Sequence, residues 1–137
     1  MKEYILAPIL AWFFAQVLKS FYFYSKNKVY HWRYLLSDGG MPSAHAATMT
    51  ALTTSIWFNE GASSVFILAL FVTLIILRDA SGVRLESSKQ ATILNELIAK
   101  THLKEKKLKE YIGHTKRQVA TGALLGIFVA ILIAPLL

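Results

Sequence analysis

Four apolar runs, divided by two strongly basic segments, dominate this chain and confine it to a membrane fold. Roughly 20 mostly apolar residues cross a bilayer as a helix. Residues 4–18 are apolar except for Gln16, and the aromatic stretch Phe21 to Tyr24 extends them to the interface, where such rings settle. Residues 43–58 combine small and apolar side chains, the composition that lets helices pack closely in lipid. Residues 62–77 are strongly apolar and end at Arg78-Asp79, and residues 119–137 form the last run. Gly122 and Gly126 lie four apart in that run, a spacing that marks a packed helix face. Between the third and fourth runs, polar and apolar residues alternate at helical spacing, with Val83, Ala91, Leu94 and Leu97 as the expected buried stripe. The expected fold is therefore an all-α integral membrane protein with about four transmembrane helices plus one amphipathic helix, in a single domain, 1–137.

Composition agrees. Apolar residues make up 55% of the 137 and cysteine is absent, which excludes a disulfide framework, thiolate chemistry and cysteine metal sites. The net charge of +7 fits topology and contact with anionic lipid rather than nucleic acid. The first run lacks a basic leader followed by a cleavage site, so no cleavable signal is expected. Outside the first three residues, every Lys and Arg falls within 19–42 or 78–117, and the turn at 59–61 has none. The positive-inside rule then puts both basic segments on the cytoplasmic side of the cell membrane and both termini outside.

The chemistry gathers in Asp38-Gly39-Gly40-Met41-Pro42-Ser43-Ala44-His45. Two glycines and a proline break the chain before a helix of small residues. Pro42 suits a first helical turn, and Ser43 can cap the free N–H groups. Such a helix start attracts anions, and His45 sets a titratable ring beside it. Gly113-His114-Thr115 makes a second break, and Thr115 with Gln118 three residues on fits a capping box that opens a helix near Lys116. The topology brings Ser43–His45, Arg78-Asp79, His114–Gln118, Lys26 and Arg33 to one face, which suggests a phosphate site. Two readings stay open for several of these residues. Lys26 and Lys28 also suit anchoring to headgroups. Asp79, costly at the end of an apolar span unless paired, has Arg78 or Arg84 as candidate partners. Gln118 is explained by capping alone.

These residues resemble a known family. Pro42-Ser43-Ala44-His45 looks like the Pro-Ser-Gly-His motif of the type 2 phosphatidic acid phosphatases, lipid phosphatases related to vanadium haloperoxidases. The segment from Gly113 to Gly126 resembles their last motif, and Lys26 and Arg33 have their Lys-x6-Arg spacing. Gly-Gly-Met-Pro-Ser-Ala-His, Arg-Asp-Ala-Ser-Gly-Val-Arg and Gly-His-Thr together are closer to a small, divergent bacterial and plastid branch of that family.

The resemblance implies a metal-independent phosphatase with no cofactor, acting on a phosphorylated membrane lipid or isoprenoid phosphate. It implies His114 as the nucleophile that forms a phosphohistidine, and His45 as the acid that protonates the leaving oxygen. It implies Lys26, Arg33 and Ser43 as phosphate ligands. The chain departs from the pattern at Leu108, where the family has Arg, and at Gln118, where it has Asp. Arg84 is the candidate to replace the missing Arg, and Gln118 can still fix the ring tautomer without supplying charge. Four spans are few to enclose such a site, so a homo-oligomer is a candidate arrangement. Two rivals follow. One is a catalytically degenerate member that binds anionic lipid or a phosphate-bearing partner. The other is a small transporter subunit, with Thr48, Thr50, Thr53 and Thr54 as its polar path.

Overall fold

The computed structural model describes residues 2–28, 39–101, 103, 105–110 and 112–136, without the side chains of Lys2, Glu3, Lys26, Asn27 and Leu136. The described residues fold into five α-helices and no strand. These are α1 (Lys2–Asn27), α2 (Ala44–Glu60), α3 (Ser64–Ser81), α4 (Val83–Thr101) and α5 (Lys116–Ile133), closed by a 3-10 turn at Ala134–Leu136. The spans within α1, α3 and α5 are long and apolar enough to cross a membrane. The second run, α2, is the inner helix at 17 residues, packed against α1, α3 and α5.

The packing obeys the logic of a lipid solvent, with small residues inside and large apolar ones outside. On α1, Ala7, Ala11 and Ala15 are fully buried at a spacing of four, while Ile5, Ile9, Trp12 and Phe13 are exposed. Helical geometry puts residues four apart on one face, and the next position on that face is Lys19, which is only 1% exposed. On α3 only Thr73 and Ala80 are buried, so this helix presents most of its surface to lipid.

The tightest seam joins α2 to α5. A Cβ on Gly122 would collide with the Ser43 carbonyl, and one on Gly126 with the Ala47 carbonyl and the Thr50 hydroxyl. Hydroxyl groups fasten this seam and the α2–α3 seam beside it. Thr50 donates to the Ala123 carbonyl on α5 at 3.0 Å, and the hydroxyls of Thr53 and Thr73 lie 2.7 Å apart between α2 and α3. Thr48 bonds back to the Ala44 carbonyl at 2.8 Å. Two of the four threonines considered for a solute path thus spend their hydroxyls on helix packing and a third bonds within its own helix, and no observation favours that rival.

The helices α1, α2, α3 and α5 alternate in direction. Tyr4 at the start of α1 donates to Glu60 at the end of α2 (2.8 Å), and Ser63 caps α3 beside the same carboxylate. The opposite end holds the last turns of α1, the start of α2, the α3–α4 junction and the start of α5.

One sequence expectation fails on α4. Val83, Leu94 and Leu97 are exposed, and the buried stripe is Ser88, Ala91 and Asn95. The reason is that α4 packs on a polar strap of chain, so its inner face offers hydrogen bonds. Pro42 also differs: it precedes the cap residue Ser43 and lies outside the first turn of α2.

The α2–α5 seam yields a stability test. Gly126→Val should overpack it at a cost of about 1–3 kcal/mol, visible as a lowered melting temperature by circular dichroism in detergent. Leu124→Val on the exposed face of the same helix should shift stability by less than about 0.5 kcal/mol.

Candidate functional site

His114 is delivered to its place by a strap held on the polar face of α4. The Asn95 side chain accepts from the Leu108 N–H (2.9 Å) and donates to the Leu108 carbonyl (2.9 Å) and to Glu110 (2.7 Å). About two helical turns earlier, the Ser88 hydroxyl accepts from the N–H groups of both Ile112 (3.1 Å) and Gly113 (3.0 Å). Gly113 fits because a Cβ there would meet the backbone of Leu85. The His114 N–H then donates to the Ala80 carbonyl near the end of α3 (3.0 Å). Four backbone N–H groups of the strap are thereby satisfied, as buried chain requires.

Immediately after, Thr115 caps α5. Its oxygen accepts from the Gln118 N–H (3.4 Å) while the Gln118 side chain accepts from the Thr115 N–H (2.9 Å), a complete capping box. The start of α2 abuts this turn. Ser43 is fully buried, its oxygen caps α2 by accepting from Ala46 (3.4 Å), and its own N–H donates to the Gln118 carbonyl (3.0 Å). Two helix N-termini therefore meet. Each carries roughly +0.5 of an elementary charge from its unpaired N–H groups.

His114 is 2% exposed at this junction. Its ring is held below the ordinary histidine value of 6.5, first by burial and then by the positive charge of Lys19, with His45 adding in the same sense. Hydrogen bonding to the Gln118 side chain and the Gly40 backbone works in the opposite direction but does not win. The physical reason is that burial and like charge both penalise an imidazolium. The neutral ring keeps a lone pair, and Nδ1 is buried with no hydrogen-bond partner among the described residues.

Lys19 is the cation that sequence reasoning missed. It reaches the site from α1 beneath the Gly39-Gly40 turn; a Cβ on Gly40, whose φ is +102°, would lie 3.2 Å from the Lys19 side chain and closer still to the Phe23 ring. Its signal was present as the fourth member of the Ala7, Ala11, Ala15 series. A charge on the packed face of an apolar span marks function by default.

The other expected site residues divide as follows. His45, in the first turn of α2, is exposed and acts on the His114 ring, so the two histidines share the site. Gln118 belongs to both the capping box and the histidine. Ser43 spends its oxygen on capping. Asp79 and Arg84 pair with each other at 2.6 Å, both partly exposed. The Arg84 guanidinium is thus engaged by Asp79, while its backbone lies beside Gly113, the residue before His114. Leu108 is exposed, with its backbone pinned to Asn95. Lys26 belongs to the last turn of α1 with its side chain outside the described residues, and Arg33 lies outside them altogether. Among the described residues, no cluster of three His, Cys, Asp or Glu side chains is placed to hold a metal ion.

Comparison with known proteins adds to this geometry. The Divergent PAP2 family profile matches residues 1–129. The chain is 34% identical over 146 aligned positions to the "uncharacterized membrane protein YuiD" of Bacillus subtilis (strain 168), covering 95% of this chain and 92% of that one. No solved structure matches.

The lowered histidine sets a pH dependence. Below about 6.5 the unfolded chain takes up a proton at His114 that the folded ring resists, so stability is full above that pH and is lost as pH falls through it. Melting temperatures of the wild type should therefore drop more between pH 7 and pH 5 than those of His114→Gln, which removes the titration. Equal slopes in the two proteins would contradict the assignment.

Proposed function

Because the chain belongs to the divergent PAP2 family, we propose that it is a membrane phosphatase that hydrolyses a lipid or isoprenoid phosphate through a phosphohistidine on His114. The observation that carries this reading is a buried histidine with one ring nitrogen unpartnered among the described residues, set beside Lys19 where two helix N-termini meet.

The groups divide the work as phosphoryl transfer requires, which is mostly positioning and positive charge. The N-termini of α2 and α5, with the Lys19 ammonium, hold the phosphate oxygens. The His114 lone pair attacks phosphorus as the P–O bond to the lipid breaks. His45 gives its proton to the departing oxygen, and the lipid leaves as an alcohol. Water then attacks the phosphohistidine, with His45 accepting its proton, and inorganic phosphate and neutral His114 are restored. Lys26 and Arg33 join the phosphate ligands in this reading on the strength of the family motif. Lys26 stands about two helical turns, ~10 Å, beyond Lys19 along α1. The basic end of the bundle faces the cytoplasm, in accord with the charge bias of the loops.

A second reading draws on Gln118. Its side-chain oxygen is already engaged by the Thr115 N–H and carries no charge to stabilise an imidazolium. A protein that binds a lipid phosphate without cleaving it would tolerate that arrangement.

Phosphate release by the purified protein in detergent, over a panel of lipid and isoprenoid phosphates, separates the two. The phosphatase reading expects release that vanadate blocks, and a loss of at least ~10³-fold in His114→Ala, the scale of removing a nucleophile. It expects a loss of about 10²–10³-fold in Lys19→Met, the scale of removing one charge-stabilising donor. Undiminished turnover in His114→Ala overturns it. Lipid-phosphate binding with no release and no acid-labile phosphate on His114 selects the second reading. A cysteine placed at 103 should label from the cytoplasmic side and one at 60 from the outside; the reverse pattern inverts the orientation.

A further inference from the structure

A cavity of about 360 Å³ lies between α1, α5 and the Met41-Pro42 pair just before α2, lined by Leu18, Tyr22, Met41, Pro42, Thr121 and Leu125. Every lining element adjoins the candidate site. Leu18 precedes Lys19, Met41 and Pro42 connect Gly40 to Ser43, and Thr121 precedes the Gly122 that rests on Ser43. The cavity is apolar in effect. The Thr121 hydroxyl turns back onto the carbonyls of Arg117 (3.0 Å) and Gln118 (3.1 Å), which leaves its methyl group to the cavity. Leu18 at its edge is 47% exposed, so the cavity borders the outer apolar surface of α1. Helical spacing continues the track from Thr121 and Leu125 to Phe128, itself 58% exposed, and from Leu18 back to Phe14.

We propose that this cavity receives the first segment of a single apolar chain attached to the phosphate, so that the substrate is a single-chain lipid phosphate that enters sideways between α1 and α5. The proposal rests on the reading of His114 and Lys19 as the phosphate site. Two observations favour one chain over two. The volume is near the lower end of ordinary ligand pockets, about 300–1,000 Å³. A second apolar groove exists between α2, α3 and α5, floored by Trp57 and Phe66, but it lies across the closed α2–α5 seam. Gly122 and Gly126 bring that seam to backbone contact, and Leu77 packs with Ala46, Ala80 and Val119. Two chains branching from one glycerol cannot straddle it to fill both grooves.

Photocrosslinking reads the occupant directly and does not need turnover. The probes are hexadecyl phosphate and farnesyl phosphate, each with a diazirine near the phosphate end, and a phosphatidic acid with the same group on one acyl chain. The full-length protein in detergent should crosslink the single-chain probes at α1 and α5 around Leu18 and Leu125, in the wild type and in His114→Ala alike. The two probes distinguish an alkyl from an isoprenoid source of the chain. Leu125→Trp, its fold checked by circular dichroism, should lower the preference for a single-chain over a chainless phosphate ester such as phenyl phosphate by at least ~10-fold, the scale on which filling an apolar pocket discriminates. Crosslinks on α3 around Leu70 and Leu74, or equal labelling by phosphatidic acid, overturn the proposal. Labelling at α1 and α5 without phosphate release from any substrate supports the chain site and overturns hydrolysis, so the two claims fail separately.

Discussion

Everything at the site depends on the contact of two helix backbones, α2 and α5, with no side chain between them at Gly122 and Gly126. Lipid offers no hydrophobic drive for helices to associate, so such contact rests on van der Waals packing and a few hydroxyl bonds such as Thr50 to Ala123. Its electrostatic effect is more specific. It forces the positive poles of two helices together, with the Ser43 N–H against the Gln118 carbonyl, and α1 adds the Lys19 ammonium. Like poles do not gather by themselves. Packing forces them together, and an anion at the junction relieves the repulsion.

The histidine reaches that junction by a different device. A strap with little apolar content would wander, yet the one before His114 is fixed by side chains that imitate backbone. Asn95 meets the peptide groups of Leu108 as a neighbouring strand would, and Ser88 takes two successive N–H groups. Here α4 acts as a jig. Its hydrogen bonds set the strap, the Ala80 carbonyl fixes the last residue, and the ring is left with little freedom in a dry pocket.

The helices and the convergence of His45 with His114 were legible because they rest on local signals: apolar runs, glycine breaks, a cap and a capping box. The face shared by both histidines followed from counting spans and charges. Lys19 was less visible because a lysine near the end of an apolar run ordinarily reads as an interface anchor; only its register with three alanines distinguishes it. The stripe on α4 was misread for a physical reason. Amphipathic reasoning assumes that apolar residues turn inward, whereas the inner face of α4 satisfies peptide groups of a segment 13 to 25 residues further on. Arg84, the candidate to replace the missing Arg, also had Asp79 as a candidate partner, and its guanidinium pairs with that carboxylate five residues earlier across the α3–α4 junction.

Lys19 also bears on the order in which the protein can be made. A lysine in a span costs up to about 2.5–3.5 kcal/mol on insertion scales, the full amount at the centre and less toward the end where Lys19 stands, and α1 leaves the ribosome before α5. The helix whose first turn completes the pocket around it, α5, leaves last. Until then the face of α2 that receives Gly122 and Gly126 has no helix against it. The junction of the two helix starts exists only once α5 lies with its two glycines against α2, so the site and that seam form together.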